Sequence, residues 1–185
     1  GVGPRSHEDC PHRVTTECYS PEDGASLEQV IAAAYRQVYG NAHVMDFERS
    51  AELEAQLCNG DLDVRGFIRG LAKTPFYKSR FFEGVAPQRG IELNFKHLLG
   101  RAPHSQAEVS AKVALMAEHG HDAVIDSLVD SAEYLEVFGS DIVPYARAWS
   151  SPADLATAAF PMLAAIQKSF AGSDSARGGS SSLTK

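Results

Sequence analysis

Apolar residues recur along most of this chain at three- and four-residue spacing, the mark of helices that bury one face. From Ser26 to Gly40, Leu27, Val30, Ile31, Ala34, Tyr35 and Val38 share one side. Ser26 with Gln29 reads as a capping box at the start of this helix, and Gly40-Asn41 as its stop. Asp46 is placed to cap a second helix from Phe47 to Cys58, ended by Asn59-Gly60. Asp63 caps a third, Val64 to Lys73. Thr74, with Pro75 at the first helical position, opens a short fourth that runs through Phe82. Pro87 opens a fifth with Ile91, Phe95, Leu98 and Leu99 on its inner face, stopped by Gly100. Ser105 and Glu108 box a sixth that ends at Gly120, and shorter pieces follow around 122–129 and 131–138. Ser151-Pro152 with Asp154 begins a last helix, 152–171. No run of four to eight residues alternates apolar and polar positions between turns, so no sheet of consequence is expected. Eight or nine helices with short connections predict a compact all-α domain.

The pattern divides the chain into four zones. Residues 1–24 contain Pro4, Pro11, Pro21 and Gly24 among polar residues and read as an extended arm. Residues 25–150 carry the dense helical periodicity and form the domain, residues 151–171 the C-terminal helix, and residues 172–185 a flexible Gly/Ser tail. The whole chain has 185 residues with 44% apolar and 22% charged, values of a globular protein with a real core. No apolar run approaches the length of a membrane span, and Gly1 to Asp9 shows no secretory signal.

Charge changes the picture more than composition does. The net charge of −7 conceals a basic middle: residues 65–101 hold eight basic and two acidic side chains, net +6. Arg65, Arg69, Lys78, Arg80, Arg89 and Arg101 are therefore the candidates for contact with an acidic partner. Nucleic acid is not expected, because the acidic flanks would repel phosphate. Aromatic residues interleave with these bases. Tyr77, Phe81 and Phe82 crowd one short helix that cannot bury all three on one side, so at least one is expected to face a partner.

Catalytic patterns are weak. There is no phosphate-binding loop, no dinucleotide fingerprint, no zinc-protease motif and no nucleophile elbow. His7, Cys10, His12 and Cys18 are the right residue types for zinc but match no standard spacing, so no metal is expected. Cys58, at the end of an apolar stretch, reads as a small buried hydrophobe. Asp126 and Asp130 read as part of a solvated helix face, and His119 as a favourable charge at a helix C-terminus.

Four blocks carry a resemblance. Ala33–Met45 resembles the opening motif of the phycobilisome linker domain, Val64–Phe82 its second block, Glu92–Pro103 its third and Asp126–Tyr145 its closing block, in the family's order. The segment Asn41–Met45 and the third block look more like rod linkers than the repeats of the core-membrane linker, so the resemblance is to the rod or rod–core type. The resemblance implies a non-enzymatic all-α linker seated in the central cavity of phycobiliprotein α/β hexamers, phycoerythrin or phycocyanin. Such a linker orders the rod and tunes neighbouring bilins, here Tyr77, Phe81 and Phe82 being the bilin-facing candidates. It implies bilins held by the neighbouring chains, contacts with other linkers, and attachment to a thylakoid only through the complex. A plastid setting, stromal face, fits the missing initiator Met, with a cyanobacterial thylakoid as the alternative. The alternative function is a linker that itself bears a bilin on Cys10, Cys18 or Cys58.

Overall fold

A computed structural model describes residues 24–40 and 44–145. The arm through residue 23, Cys10, Cys18, the proposed last helix and the tail lie outside the described residues. Eight α-helices are present among those described: α1 Gly24–Tyr39, α2 Ala51–Cys58, α3 Val64–Lys73, α4 Pro75–Phe81, α5 Pro87–Asn94, α6 Gln106–His119, α7 His121–Val129 and α8 Ala132–Val137. No extended strand occurs among them, and the all-α expectation holds.

Short side chains fix the helix starts by accepting backbone N–H groups that an N-terminus leaves over. Asp63 accepts from Gly66 N at 2.6 Å, Thr74 from Tyr77 N at 3.2 Å, Ser105 from Glu108 N at 3.3 Å and Ser131 from Tyr134 N at 3.1 Å. Two starts differ from the pattern's reading. Helix α1 is already running at Gly24, before Ser26. Asp46 opens a single 3-10 turn, Asp46–Glu48, and α2 starts only at Ala51. The break has a tertiary cause: Ser50 N donates to the Tyr35 hydroxyl at 2.8 Å rather than to a carbonyl of a continuous helix.

The fifth helix also departs from a simple α pattern. After Asn94 the chain widens into a π-helical turn, Phe95–Leu99, and ends at Gly100 with φ 67°. The wider turn puts Phe95, His97, Leu98 and Leu99 all inside. Gln37 on α1 donates its side-chain amide to the carbonyls of Lys96 at 3.0 Å and His97 at 2.9 Å. That pair of bonds ties α1 to the turn.

Helix α3 is the hub. It packs on α1, α2, α4 and α7, and the π turn packs on α1, α5, α7 and α8. Val64, Phe67, Ile68, Leu71 and Ala72 of α3 are fully buried beside Val30, Ala34, Val38, Val124 and Leu128. Gly70 permits the close approach of α2: a Cβ there would lie 2.7 Å from a Leu53 methyl.

Candidate interaction surface

The basic middle of the chain is largely paired within the molecule. Along α3 and α4, Arg65, Arg69, Lys73 and Lys78 face Asp130, the cap that closes α7, and Asp126 and Asp122 of α7, which runs antiparallel. Arg65 lies 3.5 Å from Asp130, Lys73 2.7 Å from Asp126 and Lys78 2.8 Å from Asp122, while Arg69 bonds Asp130 and lies 3.7 Å from Asp126. Asp126 and Asp130 are thus cross-helix partners, not a merely solvated face. Lys78 above all holds the Asp122 carboxyl below the usual range. Arg89 pairs with Glu92 at 3.0 Å on its own helix, and Arg80 with Glu48 at 3.5 Å. The spacing-of-four pattern of acids in α7 and of bases in α3 was the available signal for the ladder.

Arg101 is a correction. It was a candidate for partner contact, and it is buried. Its guanidinium grips Glu133 of α8 through two bonds of 2.6 Å and Glu108 of α6 through bonds of 2.9 and 3.2 Å, and lies 5.2 Å from the Phe95 ring centre. Two forked carboxylates use its donors, so it joins α6 to α8 instead of facing outward.

Of the three crowded aromatics, Tyr77 and Phe81 are fully buried and so do not face outward in this fold. The Tyr77 hydroxyl donates to Asn94 Oδ1 at 2.9 Å and meets His97 Nδ1 at 2.7 Å. Phe81 packs edge-on against His97 with ring centres 4.6 Å apart. Phe82 is half-buried and tilts against His121 at 4.6 Å. Burial, and secondarily the Lys78 ammonium, pushes the His121 imidazole below its usual pKa. Tyr77 and Phe81 turn inward because the fourth helix also needs core contacts with the π turn.

Among the described residues the most exposed large apolar side chains sit elsewhere. Phe47 is 85% and Met45 60% exposed, on and just before the 3-10 turn. The turn is braced from both sides. Met45 N donates to Glu48 Oε2 at 3.0 Å. Beyond the turn, Arg49 forks onto Glu54 at 2.8 and 2.7 Å, and the Tyr35 hydroxyl donates to the same carboxylate at 2.7 Å. Burial alone would raise the Glu54 carboxyl; the bonds from Arg49 and Tyr35 outweigh it and hold it low. Sequence reasoning placed Phe47 at the start of a helix and missed its display. The signal was its position six residues before Leu53, off the face that Leu53 and Leu57 share.

Cys58, expected inside, is exposed at the end of α2, because Leu57 takes the inward position there. A shallow cleft of about 570 Å³ lies between the starts of α5 and α6, lined by Gln88, Arg89, Glu92, His104 and Gln106 among others. Among the described residues no three His, Cys, Asp or Glu side chains are grouped to hold a metal ion, and no helix is long and apolar enough to cross a membrane.

Fold and surface together define an all-α domain whose distinctive features are charge-paired helices and a displayed aromatic turn. Residues 22–147 match the family model described as phycobilisome linker polypeptide, and the chain belongs to that family. It is 56% identical over 163 residues to the phycoerythrin class 2 subunit gamma, linker polypeptide, of Synechococcus sp. (strain WH8020), covering 88% of this chain and 56% of that one. It is 47% identical over 155 residues to a phycoerythrin-associated 27.9 kDa rod linker polypeptide of Microchaete diplosiphon, covering 82% and 62%. A phycocyanin-associated 37.5 kDa rod linker polypeptide of the same organism is 43% identical over 162 residues, covering 86% and 60%. The chain therefore spans under two thirds of the length of each of these relatives.

Proposed function

We propose that this chain is a rod linker of the phycobilisome, a non-enzymatic protein that seats in the central cavity of phycobiliprotein discs, sets their order and tunes energy transfer toward the core. The observation that carries this reading is the family match over residues 22–147, which spans all the helices described here. Phycoerythrin is the proposed disc protein. Identity is 56% and 47% to relatives named for phycoerythrin, and 43% to the phycocyanin-associated one. The arm, the last helix 152–171 and the tail are proposed to contact neighbouring discs or linkers, with bilins supplied by the surrounding chains. The setting is the surface of a thylakoid, reached through the complex; the organisms of these relatives favour the cyanobacterial over the plastid alternative.

The test is a sedimentation titration of the full chain against purified phycoerythrin and phycocyanin hexamers. A one-to-one complex with phycoerythrin, tighter than with phycocyanin, is expected. Failure to form a stable complex with either would remove the linker reading.

A further inference from the structure

We propose that the Met45–Phe47 turn is the docking anchor of this domain, inserting Phe47 into an apolar pocket with a carboxylate rim on the phycobiliprotein hexamer. The inference rests on the linker reading above and names the surface that carries it.

Three observations converge on this turn. The first is display. Phe47 and Met45 stand out at 85% and 60% exposure, two positions apart, while the other phenylalanines described here are at least half-buried. The second is rigidity. Glu48 holds the turn from below by accepting from Met45 N and pairing with Arg80, and the Tyr35–Glu54–Arg49 cluster fixes the segment that follows. A ring on a braced turn loses little freedom on binding, so most of its burial is realised as affinity.

The third is the sign of the charge around the ring. Each flanking ion pair is layered. Arg49 is 41% exposed over a Glu54 that is 18% exposed, and Arg80 is 31% exposed over a Glu48 that is 12% exposed. The guanidiniums point outward and the carboxylates lie beneath them. Asp46 beside Phe47 and Glu52 at the start of α2 are exposed as well, so the arginines stand outward of their own carboxylates without making the segment net cationic. The α3–α7 ladder is layered the other way, with its aspartates more exposed than its bases. Within each ion pair the acid is the more exposed partner along the ladder, and the arginine is the more exposed partner in the pairs that brace the displayed ring. A ring with arginine neighbours is the composition of an interface hot spot, and it calls for an apolar socket rimmed by carboxylates.

The full chain and its variants would be titrated into phycoerythrin hexamers, with far-UV circular dichroism and thermal melting run in parallel. Phe47→Ala is expected to weaken binding about 30-fold, which is about 2 kcal/mol at 1.4 kcal/mol per factor of ten, with helicity and melting unchanged. Met45→Ala is expected to weaken it several-fold. Arg80→Gln is expected to flatten the salt dependence of binding. Leu135→Ala, at the exposed apolar residue of α8, is expected to bind as wild type does. Wild-type binding together with Phe47→Ala and Met45→Ala variants that bind within about twofold of it overturns the docking proposal and leaves the linker reading standing. A wild-type chain that binds no hexamer overturns both. Loss of self-association in Phe47→Ala, with hexamer binding intact, also overturns the proposal, since the turn would then join copies of this chain.

Discussion

Arg101 is held by both oxygens of Glu133 and both oxygens of Glu108, and nothing in its local sequence distinguishes it from the other bases of its run. Its neighbours in space come from 7 and 32 positions further along. Removing it would leave two partly exposed carboxylates, of Glu108 and Glu133, facing each other without the cation that joins them. Arg101→Leu is expected to lower the unfolding free energy at neutral pH by about 1.5–3 kcal/mol, measured in urea, because water reaches the two carboxylates it leaves behind. Arg101→Lys is expected to recover little, since an ammonium cannot fork onto both carboxylates. The pH dependence follows from Glu108, whose carboxyl is held below its ordinary value of 4.5, chiefly by the hydrogen bonds from Arg101. A lowered folded pKa contributes stability that is present above the ordinary value and is lost as pH falls through the folded one. In the Leu variant protonation relieves the repulsion, so its deficit should be smaller at pH 4 than at pH 7. A deficit that grows toward pH 4 would mean that the carboxylates are not what Arg101 holds.

Helix ends were readable where a short polar side chain could cap within three residues, as at Asp63, Thr74, Ser105 and Ser131. Interruptions set by distant partners were not. The break before α2 depends on Tyr35, 15 residues away, and Gln37 reaches carbonyls of the π turn 59 and 60 residues away. Two glycines separate conformational from packing demands. Gly120, between α6 and α7, has φ 85° and ψ 177°, a region essentially closed to other residues, with open space around it. Gly70 has an ordinary helical backbone but sits against the Leu53 methyls. Gly120→Ala is expected to cost about 1–3 kcal/mol of stability. Gly70→Ala is expected to cost less, because the roughly 1 kcal/mol gain in helix propensity offsets a clash with methyl groups that can turn aside. Urea unfolding of both variants checks the order; a larger loss at Gly70 would show that α2 and α3 cannot part.

The ladder between α3 and α7 joins two helices that also bury Phe67, Ile68, Leu71, Val124 and Leu128. Its pairs are partly exposed, and exposed pairs contribute about 0–1 kcal/mol each. The molecule is therefore held by its apolar core, and the ladder aligns the helices. Raising the ionic strength from 0.1 to 1 M, which shortens the screening length from about 10 to about 3 Å, is expected to lower the unfolding free energy by no more than about 2 kcal/mol. A loss above about 4 kcal/mol would assign the ladder the main role. The same pairing limits what the basic middle can offer a partner: along the ladder the aspartates are more exposed than their bases, whereas Arg49 and Arg80 are more exposed than the acids they pair with.

Spacing of apolar residues, caps and stops is local chemistry, and it was sufficient for the all-α class, for α3 through α8 to within a few residues, and for the absence of an extended strand among the described residues. The four motif blocks likewise pointed to the family that the match over residues 22–147 establishes. Which charge faces outward is not a local property. Arg101 and Arg80 belong to one basic run, yet one is enclosed by two carboxylates and the other covers one. Tyr77 and Phe47 are both aromatic residues at the edge of short helical turns, yet one is fully buried and the other almost bare. Burial depends on which helices arrive from elsewhere in the chain, and the energy of a charge depends on the dielectric and the partners they bring.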